Sequence, residues 1–262
     1  MKFAVLIKQV PDTRTVRMDE KTGTVVRDGS EAVINPLDLY ALKAALSVKS
    51  AGDTITAISM GPPNAEKALK EALSLGADDA TLICDRAAAG SDTMATAKIL
   101  AAALRKFGPF DAIFTGERAT DGDTGQVGPE IASALGCGLV TYAGSVKTTD
   151  GGLEVERKTE NEIEKWLAAG PVLVSVTKAI GEIGLPTLAG KKAARRRSVP
   201  VVTVAELGLN AEEVGLNGSP TRVVKIFHPS IGRKGTRITV VDDATLKQAV
   251  DAIATFVKGG AR

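Results

Sequence analysis

Residues 111–136, DAIFTGERATDGDTGQVGPEIASALG, carry the pattern from which the fold follows. Asp111–Thr115 is a short apolar run with the look of a strand. It runs directly into a loop of small and acidic residues, and from near Gly125 the apolar positions take up helical spacing. The question is what such a loop holds against a helix N-terminus.

Upstream, the same alternation repeats. Lys2–Val10 (KFAVLIKQV), bounded by Pro11-Asp12, reads as a strand buried on both faces. Thr24–Ile34 pivots on Asp28-Gly29 and reads as a small hairpin. Asn35 before Pro36 gives an N-cap and a first-turn proline, and Leu37, Tyr40, Ala41, Ala44, Ala45 and Val48 follow on one helical face that should end near Gly52. Asp53–Met60 is strand-like, Ala65–Leu75 helical, Ala80–Cys84 a strand and Asp92–Phe107 a helix. Strands alternating with helices of this length imply right-handed crossovers and a parallel sheet flanked by helices, an α/β fold.

Ligands of open α/β sheets collect at the carboxyl ends of the strands, so the loops after Val10, Met60 and Thr115 should line one crevice. The free N–H groups and positive dipole end of the helix near Gly125 would receive a phosphate. Gly122, Gly125 and Gly128 let the backbone approach a ligand. Asp121 and Asp123 would repel a phosphate if they faced it, so one of them should cap the helix or bond ribose hydroxyls. A glycine-rich turn with an Asp cap and no ligand fits the spacing as well.

Beyond Gly136 the alternation stops. Leu139–Val146, Leu153–Val155 and Pro171–Thr177 read as strands, with a polar hairpin over 147–152. Residues 180–200 read as a poorly periodic linker, a loop by virtue of Gly184, Pro186 and Gly190. From Val201 to Gly235 the chain lacks the apolar content to fold alone and is expected to wrap a neighbour. Ala244–Lys258 is a helix. This gives a nucleotide-binding domain over 1–200 and a C-terminal arm over 201–262.

Composition narrows the classes further. The 262 residues are 44% hydrophobic, enough for a substantial core. Thirty-three basic residues against 31 acidic ones leave a net charge of +2, which gives no general reason to expect nucleic acid. The N-terminal apolar run is too short for a signal-peptide core and no later run reaches the length of a membrane span, so a cytoplasmic location is expected. Two cysteines, Cys84 and Cys137, with one histidine, His228, make a zinc site or disulfide framework an unsuitable reading. Both cysteines are expected in the core, and Trp166 in packing or a subunit interface. Without paired acids, a nucleophile–base couple or a metal cluster, a hydrolase or transferase is disfavoured.

Six ordered blocks, VLIKQVPDT, TGTVVRDGSEAVINPLDLYALKAAL, ITAISMGPP, ALSLGADDATLI, DTGQVGPEIASALG and GLPTLAGKKAARRR, resemble the β subunit of electron transfer flavoproteins over nearly the whole chain. The resemblance implies a flavodoxin-like or adenine nucleotide α-hydrolase-like parallel sheet with an extended C-terminal arm. It also implies an α subunit that receives the arm and carries FAD. Its nucleotide site falls on Leu6, on Asn35, Pro36, Leu37 and Asp38, on Met60, and on Ala119, Thr120, Asp121, Gly122, Asp123, Thr124, Gly125, Gln126, Val127, Gly128, Pro129 and Glu130.

Ordinary members of this family hold AMP there as a structural ligand and carry a loop resembling DDDCNQTGQ. Electron-bifurcating members hold a second FAD and carry one resembling DGDTAQVGPE. This chain reads DGDTGQVGPE. Gly122 removes a carboxylate where a pyrophosphate needs charge relief, which implies FAD, with AMP as the alternative. Gly125 should add backbone freedom without changing the ligand class. The resemblance further implies NADH as electron donor, ferredoxin or flavodoxin and an acyl-CoA-type dehydrogenase as partners, and Leu185 with Leu188 as the anchor for that dehydrogenase. Lys191, Lys192, Arg195, Arg196 and Arg197 read either as a solvated face or as steering charges for an acidic partner. A stress-type or ATP-using nucleotide binder should carry glycine after the first strand, and KQVPDT has none.

Overall fold

The computed structural model describes residues 1–12, 17–18, 25–26, 32–224 and 237–259. In chain order these form β1 (Lys2–Leu6), β2 (Gln9–Pro11), β3 (Arg17–Met18), β4 (Val25–Val26), β5 (Ala32–Ile34), α1 (Pro36–Val48), β6 (Thr54–Met60), α2 (Glu66–Leu75), β7 (Asp79–Ile83), α3 (Thr93–Phe107), β8 (Ala112–Gly116), α4 (Val127–Leu135), β9 (Gly138–Thr149), β10 (Gly152–Lys158), β11 (Ile163–Ala168), β12 (Val172–Val176), α5 (Leu188–Arg196), β13 (Val201–Val202), α6 (Gly215–Gly218) and α7 (Asp243–Gly259).

Nine strands form one sheet in the order β11-β10-β9-β12-β8-β1-β6-β7-β13. From β9 to β13 every pairing is parallel, and β10 and β11 add an antiparallel edge. Alternate residues of β1 serve the two faces, as expected of a strand buried on both sides. Phe3 and Val5 join the core beneath α1 and α2, where Phe3 meets Phe114 edge-on with ring centroids 5.9 Å apart. Ala4 and Leu6 join the core beneath α3 and α4.

Several expectations need correction. The first strand stops at Leu6, and Gln9–Pro11 leaves the sheet to pair with β5. The hairpin expected over 24–34 does not pair its own arms, since β4 pairs with β3; its turn at Asp28-Gly29 lies outside the described residues, as does His228. Residues 188–196 are helix rather than linker. Gly190 breaks no helix there, because a side chain at that position would meet the Ser74 carbonyl at 2.5 Å, so it lets α5 sit close on α2. Cys84 and Cys137 are only half-buried.

Residues 201–222, grouped with the arm by sequence, pack in the first compact unit, Met1–Arg222. Here β13 extends the sheet beside β7, and Val202, Val204 and Val214 are buried. The second unit, Val223–Arg262, contains α7, which carries Leu246, Val250, Ile253 and Val257 at helical spacing.

Candidate functional site

The carboxyl ends of β1, β6 and β8 border a cavity of about 380 Å³. Leu6, Ile58, Met60, Leu100 and Val127 form its apolar wall, and the β8–α4 loop supplies Ala119 and residues 122–126 to its rim. The loop after β1 enters through Ile7 and Lys8 rather than through a segment after Val10, because β1 ends four residues earlier than the apolar run suggested.

The floor rests on two buried polar side chains. Asp38, in the first turn of α1, accepts from the Lys8 backbone N–H at 2.7 Å and from Asn35 Nδ2 at 3.0 Å, and also from the Gly116 N–H. Burial pushes its carboxyl up to about 7 against those donors. Asn35 occupies the N-cap position of α1 but makes no capping bond with its side chain. Its Nδ2 donates to the Arg118 carbonyl at 2.9 Å and its Oδ1 accepts from the Thr120 N–H at 3.2 Å. Asn35 therefore staples the β8–α4 loop to α1, with the polar atoms of a fully buried residue all used. Gly116 completes the junction: a Cβ there would lie 2.6 Å from Asp38 Oδ1 and 2.8 Å from the Leu37 backbone.

Neither loop aspartate caps the helix. Asp121 pairs with Lys8 Nζ at 2.7 Å and Asp123 with Arg118 Nε at 3.2 Å. Gln126 stands at the N-cap of α4 without a side-chain bond; Pro129 has no N–H and the Glu130 N–H donates to the Gln126 carbonyl at 3.0 Å, so Val127 and Gly128 carry the N–H groups that this helix end can offer a ligand. The loop holds its shape through the Asp123 N–H, which donates to the Ala119 carbonyl at 2.8 Å, and through left-handed backbone at Asp123 (φ 55°) and Gly125 (φ 65°). Gly125 is thus a conformational requirement rather than added freedom. Gly128 lets α4 approach the sheet, its Cβ position lying 3.1 Å from Thr115 Oγ1. Thr124 and Gly122 face the cavity, and a side chain at Gly122 would meet nothing within 4 Å.

The β7–α3 connection forms a wall that sequence reading missed: Ser91, Asp92, Thr93 and Thr96 line the cavity. Its signal was present, since Asp92 caps α3 by accepting from the Ala95 N–H at 3.0 Å immediately after a strand and short loop. Thr93 Oγ1 donates to Glu130 Oε1 at 3.1 Å, while Glu130 Oε2 is buried without a partner and burial pushes that carboxyl upward. Thr115 lines the cavity with a hydroxyl that is buried and has no partner. An unclaimed buried hydroxyl beside an uncapped helix N-terminus, above an apolar wall, fits a phosphate-bearing ligand with a flat ring system.

Of the residues named from sequence, Leu6, Asp38, Met60, Ala119 and 122–128 are brought to one cavity. Asn35 and Leu37 lie outside the cavity lining, Asn35 joined to it by its side-chain bonds to Asp38 and Arg118. Pro36 and Thr120 line a neighbouring hollow, and Pro129, Glu130 and Asp121 lie outside the cavity lining. Leu185 and Leu188 are 95% and 87% exposed, so neither packs into the core. Among the described residues, no cluster of metal-ligating side chains occurs and no helix is long and apolar enough to cross a membrane.

A mostly parallel sheet flanked by helices, with a cavity at the carboxyl ends of its strands, defines an α/β protein whose candidate ligand site lies where open sheets of this kind place one. Residues 22–207 match the family model of the electron transfer flavoprotein domain. The chain is 41% identical over 261 residues to the electron transfer flavoprotein subunit beta of Megasphaera elsdenii, covering 97% of this chain and 96% of that one. It is 39% identical over 267 residues to the protein FixA of Azorhizobium caulinodans, covering 98% and 94%. It is also 39% identical over 241 residues to the caffeyl-CoA reductase-Etf complex subunit CarD of Acetobacterium woodii, covering 91% and 92%. The chain belongs to the electron transfer flavoprotein family as a β subunit, and its partner is an α subunit.

Proposed function

We propose that this β subunit holds FAD in the cavity at the ends of β1, β6 and β8. With the α subunit it would pass electrons between NADH, ferredoxin or flavodoxin, and an acyl-CoA-type dehydrogenase, by flavin-based bifurcation. The observation that carries the choice of FAD is Gly122. The loop reads DGDTGQVGPE, Gly122 faces the cavity, and the chain's own packing does not demand glycine there. The residue type is then explained by what the cavity receives: no carboxylate beside a pyrophosphate. The relative named as part of a caffeyl-CoA reductase complex supports an acyl-CoA-type partner.

A flavin supplies one- and two-electron redox chemistry when bound. The protein's own part is to bind and orient. Leu6, Met60 and Val127 exclude water along one wall, the α4 N-terminus and the backbone of residues 122–125 receive phosphate, and Asp38 and Asn35 fix the loop that does so. Leu185 and Leu188 would anchor the dehydrogenase, and residues 223–262 would dock on the α subunit.

AMP is the second reading, favoured by the cavity volume, which lies near the small end for ligand sites. Denaturing the purified heterodimer and quantifying what it releases separates the two. Two FAD per heterodimer supports the proposal, and one FAD with one AMP refutes it.

A further inference from the structure

The charges around the cavity are not equivalent. Among the described lining residues, the cations are Lys8 and Arg118, and the acids are Asp38, Asp92, Glu117 and Asp123. Each acid is committed within the protein. Asp38 holds the floor, Asp92 caps α3, and Glu117 and Asp123 both hold Arg118, at 3.5 and 3.2 Å. Arg118 is therefore neutralised twice over. Among the described residues, the Lys8 ammonium makes one ion pair, with Asp121 at 2.7 Å, and that residue lies outside the cavity lining.

The backbone of Lys8 is fixed from both sides. Its N–H donates to Asp38, and its carbonyl accepts from the Asn35 N–H at 2.8 Å. The side chain thus pivots from a rigid point at the end of β1, with its ammonium on an exposed carboxylate. Exposed ion pairs of this kind are weak, whereas an ammonium on a phosphate inside a concave, partly desolvated site makes a stronger charge-assisted bond.

We propose that Lys8 is the specificity-determining residue that makes this cavity select phosphorylated over unphosphorylated nucleosides, with Asp121 as the internal competitor that the phosphate displaces from the ammonium. This rests on the reading of the cavity as a nucleotide site. It adds a residue outside the loop and a reason for an acidic side chain beside a phosphate position: Asp121 keeps the lysine positioned and sets a threshold that only a phosphate-bearing ligand overcomes.

The test is equilibrium binding of AMP and of adenosine to the heterodimer, after dialysis against a chaotropic salt to remove the nucleotide of the β site. Wild type should bind AMP more tightly than adenosine. Lys8→Met should weaken AMP by about 10- to 100-fold, the worth of one charge-assisted bond, and leave adenosine within about twofold. Lys8→Arg should retain the preference, and Asp121→Asn should tighten AMP by about threefold or more through loss of the competitor. Adenosine binding reports that each variant has kept the cavity. Parallel loss of AMP and adenosine in Lys8→Met, or an unchanged ratio between them, overturns the inference while leaving the nucleotide site standing. A wild-type heterodimer that binds neither compound overturns both.

Discussion

The side-chain amide of Asn35 donates to the carbonyl of Arg118 at 2.9 Å, across 83 positions of sequence. The same amide group also holds Asp38 and the Thr120 N–H. Asn35→Ala would leave a buried carboxylate short of a donor and detach the loop that rims the cavity. It should cost about 2–3 kcal/mol, read as a lower urea midpoint, and should lower nucleotide content at equal α-subunit occupancy. Asn35→Asp would place a carboxylate beside Asp38 and should be worse than Ala.

Asp38 sets a pH dependence whose sign follows from the direction of its shift. Its folded-state value of about 7 stands above the ordinary 3.8, so between these values the folded protein holds a proton that the unfolded chain releases. Stability should therefore be fully favourable below about pH 4, fall as pH rises towards 7, and flatten beyond; the full swing is up to about 4 kcal/mol. Urea unfolding from pH 4 to 8 should show this slope in wild type and lose it in Asp38→Asn. Parallel curves for the two proteins would remove Asp38 as the cause.

Much of this arrangement was legible in the residues. The strand–helix alternation predicted the sheet, because runs such as DAIFT and KFAVL are apolar on both faces, and only the middle of a parallel sheet buries both. Two elements were missed because a neighbour, rather than their own pattern, holds them. In α5 the described buried side chain is Ala194 alone, and the helix docks through Gly190, so its sequence looks like a charged linker. In β11, IEKWLA has an exposed or half-exposed residue at every position and exists by pairing with β10. The Asp92–Thr96 wall was missed because a capped helix start looks the same with or without a cavity in front of it.

Two glycines offer opposite outcomes from one substitution. Gly116→Ala drives a methyl to 2.6 Å from Asp38 Oδ1 and against the Leu37 backbone, where little can yield, and should destabilise by about 2 kcal/mol or more. Gly122→Ala meets nothing within 4 Å and should leave the unfolding midpoint unchanged. Thermal melts of the two heterodimers suffice; equal destabilisation would contradict the geometry.

Leu185 is so exposed that Leu185→Ala should alter stability by less than about 0.5 kcal/mol. If the residue anchors the dehydrogenase, the variant should slow electron delivery to it by about tenfold while flavin content and NADH reduction stay at wild-type levels. Loss of flavin together with activity would make the residue structural. An unaffected rate would pass the role to Leu188, which is nearly as exposed at the start of α5.

If the cavity rimmed by Ala119 and residues 122–128 holds the β-subunit FAD, Gly122→Asp should expel it. The side chain has room, so the variant should fold and pair with the α subunit. Its carboxylate would stand beside a pyrophosphate, costing about 3 kcal/mol at ~5 Å and an effective dielectric near ~20, before screening. Counting flavin per heterodimer, we expect two FAD in wild type and one in the variant, with the lost flavin replaced by AMP or by nothing and NADH-driven ferredoxin reduction abolished. Two FAD in the variant with full NADH-dependent activity would show that the β8–α4 loop is no pyrophosphate cradle.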